Sequence, residues 1–205
     1  MKKLIYLILF IFISCKSNGQ SSPDFIISES DSLVEFESFN TAEKFLLKHI
    51  SETDSLENQF LFFAQLCYLA KSNSKVEKAI KYGHKVTNQQ FSEFTHLESY
   101  GDVLYNLSVA KFRLGEIDST FYYAKKSLKT RRQHLPANHK KIVQNLIALG
   151  IFNSKIGQSE QSIDYEEQAL AIALNIKPLN YNSLVGSYFS LGSAYQSSNL
   201  LFKAR

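Results

Sequence analysis

The amino-acid sequence predicts an all-α fold in which antiparallel helix pairs stack into a solenoid, and three observations support this prediction. A leucine followed by a small residue recurs every 42 residues, at Leu107–Ser108, Leu149–Gly150 and Leu191–Gly192, and such an interval is typical of one helix pair per repeat. The 205 residues include only 3 Pro and 8 Gly, which favours helices joined by short turns. The chain is 44% hydrophobic and 20% charged, as expected for a folded protein.

The first residues form a segment that differs from the rest of the chain. Lys2 and Lys3 precede an apolar run, Leu4–Ile13. A basic start before a short apolar run is typical of a signal peptide, whereas a membrane-spanning helix needs about 20 apolar residues. We therefore predict a signal peptide over residues 1–14 and export of the protein. A buried apolar helix is the remaining alternative.

The end of the apolar run resembles the lipobox of bacterial lipoproteins, in which a small residue precedes a cysteine that is acylated and becomes the mature N-terminus. Ser14 and Cys15 match this pattern, whereas Phe12 stands where the lipobox usually has leucine. The resemblance implies lipidation of Cys15 and a location at the periplasmic side of a bacterial membrane. Secretion after cleavage at a nearby residue, without a lipid anchor, is the alternative.

Charge and cysteine content set further limits on the mature protein. Two of the 23 Lys and Arg residues lie in the predicted signal peptide, so the remainder nearly balances the 19 Asp and Glu residues. No nucleic-acid-binding surface is therefore predicted. Residues 15–30 begin with a Ser-rich polar stretch and are predicted to be a flexible tether. Cys67 has no second cysteine to pair with once Cys15 is lipidated, so we predict a small core residue there.

Residues 31–53 carry two short amphipathic stretches, which we predict to be a degenerate opening repeat. Its two helices are expected to flank a turn at Asn40 and Thr41. Asp54, with Glu57 three residues later, predicts a capping box at the start of the following helix.

Four repeat units are predicted within residues 54–205, each built on a 34-residue helix-turn-helix pattern. Their first positions are Phe60, Gly101, Val143 and Val185. In the third unit, Ile163 and Leu170 lie seven residues apart and mark one apolar face of the second helix. Arg205 follows directly after Ala204, where the packed face of the last helix should begin, so the last unit is predicted to be incomplete.

Small residues at matched positions are predicted to let neighbouring helices approach closely. Ser108, Gly150 and Gly192 stand where the two helices of a unit should meet, and a larger side chain there would cost about 1–3 kcal/mol by overpacking. Gly115 and Gly157 are predicted to end the first helices of their units, because a left-handed glycine closes a helix without a Cβ penalty.

The run Leu146–Gly150, followed by Gly157 and by Ala169–Leu170, resembles the tetratricopeptide repeat (TPR). The resemblance covers about residues 55–205, and the 42-residue interval is similar to the long variety found in kinesin light chains and in many bacterial regulators. It implies a right-handed superhelix that binds a protein or peptide partner on its concave face.

The resemblance also implies which positions of the first helices face the partner. Large, rigid or fork-shaped side chains there are the types that anchor interfaces. The predicted groove residues are Tyr68, Lys71, Tyr105, Val109, Phe112, Arg113, Ile151 and Lys155. Further concave positions are Leu61, Ala64, Ser72, Asp102, Gln144, Ile147 and Ser154. Aromatic residues at such positions can instead pack between repeats, which is the alternative for each of them.

No catalytic constellation accompanies the repeats. The 5 histidines are scattered, and neither a phosphate-binding glycine loop nor a nucleophile elbow is present. Glu166 and Glu167 are predicted to be solvated on a helix surface. The basic cluster within 125–132 is predicted to complement the negative end of a helix, with contact to anionic headgroups as the alternative. We therefore predict no enzyme activity, no metal site and no cofactor.

Taken together, these features predict a non-enzymatic protein-interaction scaffold at the bacterial cell envelope, held there as a lipoprotein. A second hypothesis is that the chain is the N-terminal sensor region of a longer signalling protein, with a histidine kinase, caspase-like or DNA-binding module beyond Arg205. A third is that the uncovered last repeat mediates self-association.

Overall fold

The structure, a computed structural model, describes residues 22–197, and every regular element in that range is helical. The helices are α1 (Pro23–Phe36), α2 (Phe39–Glu52), α3 (Leu56–Ser72), α4 (Val76–Val86), a 3-10 helix (Gln89–His96), α5 (Glu98–Arg113), α6 (Ile117–His134), α7 (Lys140–Lys155), α8 (Ser159–Leu174) and α9 (Tyr181–Ser197). The predicted signal peptide and Cys15 lie outside the described residues.

Successive helices pack as pairs that stack along the chain. The pairs are α1 with α2, α3 with α4, α5 with α6 and α7 with α8, and α9 packs against both α7 and α8. The first helices of neighbouring pairs also contact each other, α3 with α5 and α7 with α9. The predicted first position of each repeat unit lies three or four residues after the first residue of the helix that contains it, which is α3, α5, α7 or α9. The predicted all-helical stack of pairs is therefore confirmed for the described residues.

The core forms two clusters along the stack. The first joins α1 through α5 around fully buried side chains such as Phe60 and Leu104. The second joins α6, α7 and α8 around Leu146 and Leu149. Cys67 is buried in the first cluster as a free thiol, and burial raises its pKa to about 12. The prediction of a small core residue at this position is confirmed.

The connection between α4 and α5 contains a 3-10 helix that the sequence pattern did not predict. Phe91 within it is fully buried. Its ring lies 5.9 Å from that of Phe60, 6.3 Å from that of Phe63 and 6.4 Å from that of Phe94, measured between centroids. Aromatic pairs at such distances contribute beyond their buried area. The cluster fixes the path of the chain after α4, which has only 11 residues.

The predicted tether 15–30 is corrected at its C-terminal end, because α1 begins at Pro23. The Ser22 hydroxyl accepts a hydrogen bond from the backbone N–H of Phe25 at 3.3 Å, and proline is well suited to the first helical turn. Ile26 and Ser30 are then buried against the rest of the molecule. The opening helix pair therefore spans 23–52 and not 31–53.

Two predicted helix starts are also shifted. The turn of the opening pair lies at Glu37 and Ser38, so Asn40 and Thr41 belong to the first turn of α2, and the Ser38 hydroxyl accepts from the N–H of Thr41 at 3.2 Å. At α3, the N-cap is Ser55 and not Asp54. The Ser55 hydroxyl accepts from the N–H of Asn58 at 3.2 Å. Serine satisfies the free N–H groups of a first turn at both sites.

The first helices of three units end in the same way. Gly115 and Gly157 follow the last residues of α5 and α7 with φ values of 75° and 81°, as predicted for helix-ending glycines. The matching residue after α3 is Ser74, whose φ is 57°. The N–H of Lys75 donates to the carbonyl of Ala70 at 2.8 Å, which closes this helix as a left-handed residue usually does.

We expect Ser74→Gly to raise the free energy of unfolding by about 0.5–1 kcal/mol, because glycine adopts a positive φ without strain. Thermal unfolding followed by circular dichroism at 222 nm would measure the change. Ser28→Gly is the matched control, since Ser28 is exposed in the interior of α1. This control should lose about 0.5 kcal/mol of stability. Equal shifts of the same sign in both variants would contradict the strain at Ser74.

Candidate partner-binding groove

A cavity of about 370 Å³ lies between α1 and the first helices α3, α5 and α7. It combines apolar and aromatic walls with several polar and charged groups, as ligand-binding cavities usually do. Of the residues predicted or implied to face a partner, those that line it are Leu61, Ala64, Tyr68, Lys71, Asp102, Tyr105 and Gln144. We name this cavity the groove.

Arg131 of α6 forms the floor of the groove and is only 2% exposed. Its guanidinium donates to the Asp102 carboxylate at 2.8 Å, to the carbonyl of Lys141 at 2.7 Å and to the Asn145 side-chain oxygen at 3.0 Å. The ring of Tyr105 lies 5.0 Å from the guanidinium carbon, within the range of a cation–π contact. These contacts fix the floor in one geometry.

Lys141 of α7 connects the floor to the edge of the groove. Its ammonium lies 2.6 Å from an oxygen of Asp102 and 2.6 Å from an oxygen of Glu98. The hydrogen bond from Lys141 holds the pKa of Glu98 below its usual value. Asp102 therefore bridges Arg131 and Lys141, and the acidic groups near the floor are already paired.

The opposite edge of the groove carries Lys71, and Arg113, which was predicted to face the partner but does not line the cavity, lies beside it. Tyr68 is 46% exposed, and the Lys71 ammonium lies 5.0 Å from the centre of its ring. Burial, and then the nearby positive charge of Arg113, lower the pKa of Lys71. The Arg113 guanidinium donates to the carbonyl of Lys71 at 3.1 Å. Neither cation forms an ion pair within residues 22–197.

The other predicted groove residues lie elsewhere. Phe112 packs on Phe152 of α7, with ring centroids 4.6 Å apart, and Val109 packs against the same core cluster. Both belong to the packing between repeats and not to the wall of the groove, which corrects their assignment. Ile151 and Lys155 line a second, smaller cavity of about 100 Å³ between α7, α8 and α9.

The matched small positions differ in what they contact. Ser108 is fully buried, and its hydroxyl donates to the carbonyl of Tyr105 at 2.7 Å. A Cβ at Gly150 would lie 2.6 Å from the Glu166 carboxyl carbon, so α7 and α8 approach closely there, as predicted. A Cβ at Gly192 would meet no atom of the described residues within 4 Å.

The prediction for Glu166 is wrong, and Arg131, which lies in the last turn of α6 as predicted, has a further role. Glu166 is not solvated. It is 1% exposed, and the Ser190 hydroxyl donates to it. Arg131 belongs to the predicted basic cluster but turns inward to the floor of the groove. Each of the two lies on the buried face of its helix: Glu166 is three residues before Ala169, and Arg131 is seven residues after Ala124. This spacing along the helix is the sequence signal that could have predicted their burial.

The described residues contain neither a membrane-crossing helix nor a metal cluster. No helix among residues 22–197 is long and apolar enough to span a bilayer. In the same range, no group of three or more His, Cys, Asp or Glu side chains is placed to hold a metal ion.

Comparison with known proteins supports the fold. No protein-family model matches the chain, and no curated protein matches its sequence. BtubC (BKLC) from P. vanneervenii superposes with a TM-score of 0.79 at 16% identity, over 87% of this chain and 74% of that one. A Podosopora anserina protein, described as a kinesin light chain with nearly identical TPR-like repeats, gives 0.71 at 15% identity, over 90% and 92%. MamA gives 0.63 at 15% identity, over 89% and 85%. The chain therefore has the fold of TPR-like helical repeats.

Proposed function

We propose that this chain is a non-enzymatic scaffold that binds a segment of a partner protein in the groove. The observation that carries the proposal is a cavity of about 370 Å³ with a rigid, hydrogen-bonded floor and a half-exposed tyrosine at its edge. A preorganised floor reduces the entropy that is lost on binding. An exposed tyrosine offers a large, rigid contact surface.

The charges of the groove indicate the kind of segment that it would bind. Asp102 and Glu98 are occupied by Arg131 and Lys141. Lys71 in the groove, and Arg113 beside it, retain donors without a carboxylate partner among the described residues. A partner segment with a carboxylate near an aromatic or aliphatic side chain would pair with these cations and cover Tyr68.

We expect Tyr68→Ala to weaken binding of groove ligands at least tenfold, which corresponds to about 1.4 kcal/mol. The ligands would be peptides selected on the full chain from a random display library, and fluorescence anisotropy would measure their affinity. Tyr122→Ala is the matched control, because Tyr122 is 58% exposed on α6 but does not line the groove. Peptides that lose affinity for the Tyr122 variant and not for the Tyr68 variant would place the binding surface elsewhere.

We further propose that the protein acts at the bacterial cell envelope as a lipoprotein anchored through Cys15. The basic start, the short apolar run Leu4–Ile13 and Ser14 before Cys15 support this proposal. The right-handed superhelix implied by the TPR resemblance would then present the groove to partners on the periplasmic side of the membrane.

Cys15→Ser is expected to abolish labelling by a palmitate analogue and to release the protein from the membrane fraction of a bacterial host. A single thioether-linked lipid anchor would explain both losses, because no helix in residues 22–197 is able to span the bilayer. Cys67→Ala is the matched cysteine control and should keep the label, since Cys67 is buried. Label that persists in the Cys15 variant would contradict the anchor.

A further inference from the structure

The second cavity contains a buried carboxylate with incomplete hydrogen bonding. Glu166 is 1% exposed, and the Ser190 hydroxyl donates to its Oε1. Its Oε2 and the hydroxyl of Ser162, one helical turn earlier on α8, have no hydrogen-bond partner in the described residues. A buried carboxylate oxygen without a donor is costly, so its presence in a native protein needs an explanation.

The repeat itself does not require a carboxylate at this position. The matching residues of the first and second units are Gly83 and Ala124, and both are buried. A Cβ at Gly83 would lie 2.7 Å from Leu107 Cγ, so that space is filled by an apolar side chain. In the third unit a carboxylate stands at this position and lines a cavity of about 100 Å³.

The oxygen groups that line the second cavity are one carboxylate and three serine hydroxyls, and all of them can accept hydrogen bonds. Glu166, Ser154, Ser162 and Ser190 supply oxygen atoms, and Ile151 and Ala194 supply apolar surface. Among the described residues, the only cation that lines the cavity is Lys155 of α7, which is exposed and forms no ion pair in that range. Glu167 points to the Tyr195 hydroxyl, which donates to it at 2.6 Å.

A primary ammonium group fits this arrangement best. Its three N–H donors match one carboxylate and two serine hydroxyls. A guanidinium prefers two free carboxylate oxygens side by side, but one oxygen of Glu166 already accepts from Ser190. A divalent metal ion would need more oxygen ligands of full charge than one carboxylate provides.

The second cavity also lies on the partner-facing side of α7. Gln144 lines the groove and Ile151 lines the second cavity. These residues are seven positions apart, which is two helical turns on the same face and about 10 Å along the axis. A segment bound in the groove could therefore reach both cavities.

We propose that the cavity of Glu166, Ser162 and Ser190 binds a primary ammonium group, supplied by a lysine side chain of the segment that occupies the groove. Only the source of the ammonium group rests on the function proposed above. The ammonium group would supply the donor that Glu166 Oε2 lacks, and rotation about the last side-chain torsion would bring either oxygen to it.

The test uses the full chain, labelled with ¹³C at the glutamate carboxyl groups, and N-acetyl-lysine methylamide as the probe. We expect saturating probe to lower the pKa of Glu166 by at least one unit, because a nearby cation favours the charged carboxylate. N-acetyl-norleucine methylamide has a similar shape without the charge and should have no effect. Butylammonium, which lacks the peptide groups, should act like the lysine probe.

Three variants make the test specific. Glu166→Gln should weaken binding of the lysine probe more than tenfold. Glu167→Gln, the matched control at the exposed neighbour, should bind the probe as the wild type does. Lys155→Met should retain or strengthen binding, because it removes the competing ammonium group.

Several results would overturn the proposal. If the lysine probe leaves the pKa of Glu166 unchanged, the cavity does not bind an ammonium group. If the norleucine probe shifts this pKa as much as the lysine probe does, the cavity does not recognise the charge. A pKa of Glu166 that rises in Lys155→Met without probe would identify Lys155 as the occupant. If butylammonium binds and N-acetyl-lysine methylamide does not, a lysine side chain is excluded as the source of the ammonium group. Tyr68→Ala should not alter binding of the lysine probe. Binding of an ammonium group at Glu166 is therefore tested independently of peptide binding in the groove.

Discussion

Gly150→Leu is expected to lower the free energy of unfolding by about 3 kcal/mol, near the upper end of the usual cost of overpacking. A Cβ at this position would lie 2.6 Å from Glu166 Cδ and 2.8 Å from Glu166 Cγ. Glu166 is itself buried, so it could move aside only into the small second cavity, which would not make room for a whole leucine side chain. Helices α7 and α8 would have to separate. Urea denaturation followed by circular dichroism would measure the loss.

Alanine substitutions provide the matched comparison. Gly186 lies in α9, where a Cβ would meet only Ile147 Cδ1 at 3.6 Å, an ordinary contact. Gly186→Ala should therefore gain up to about 1 kcal/mol from helix propensity, whereas Gly150→Ala should lose stability. Combining Gly150→Ala with Glu166→Ala should restore part of that loss, because the two residues share one contact. Equal behaviour of the two glycine sites would contradict the close approach.

The stack of helix pairs could be predicted from the sequence because its physical requirements recur at fixed positions. A close approach of helices needs a small residue, and the end of a helix needs a residue that tolerates positive φ. Gly150 and Gly157 meet these needs in the third unit. The start of α1 was predicted too late in the chain because the helix has few buried apolar residues, with only Ile26 and Ser30 buried. Its start depends on the cap at Ser22, which is a local hydrogen bond and not a periodic pattern.

The groove was predicted in part. The concave positions implied by the TPR resemblance include residues from three helices that meet at the larger cavity, such as Tyr68, Tyr105 and Gln144. The sequence did not reveal that Arg131 completes the floor. Its residue type is typical of a solvated helix end, and its main partner, Asp102, lies 29 residues earlier in the chain. Such pairing depends on the three-dimensional stacking of α5, α6 and α7.

Glu166 illustrates the same limit for a single carboxyl group. Its helical phase places it with Ser162, Ala169 and Ala173 on the buried stripe of α8. The sequence does not show that Gly150 leaves room for its side chain, or that Ser190 on the next unit supplies a donor. Because both facts concern other helices, the residue type alone led to the wrong assignment.

Burial of Glu166 should make the stability of the fold depend on pH, and Glu166→Gln should remove that dependence. Burial raises the pKa of Glu166 from 4.5 to about 7, against the opposing hydrogen bond from Ser190. The folded protein then holds the proton more tightly than the unfolded chain does. The resulting stability is fully present below pH 4.5 and is lost as the pH rises through 7. The loss for this group amounts to about 3 kcal/mol.

Urea denaturation of the wild type and of Glu166→Gln between about pH 4 and pH 8 would separate this contribution from that of the other groups. The stability of the variant relative to the wild type should increase with pH up to about 7 and then level off, because glutamine does not titrate. Among the described residues, Lys155 lines the cavity and Glu167 follows Glu166 in the chain and accepts from Tyr195, and both charged groups are present in both proteins. Glu167→Gln should therefore follow the wild type. Parallel curves for the wild type and Glu166→Gln would mean that the Glu166 carboxyl group has access to water or to a permanent cation, since either would return its pKa toward 4.5.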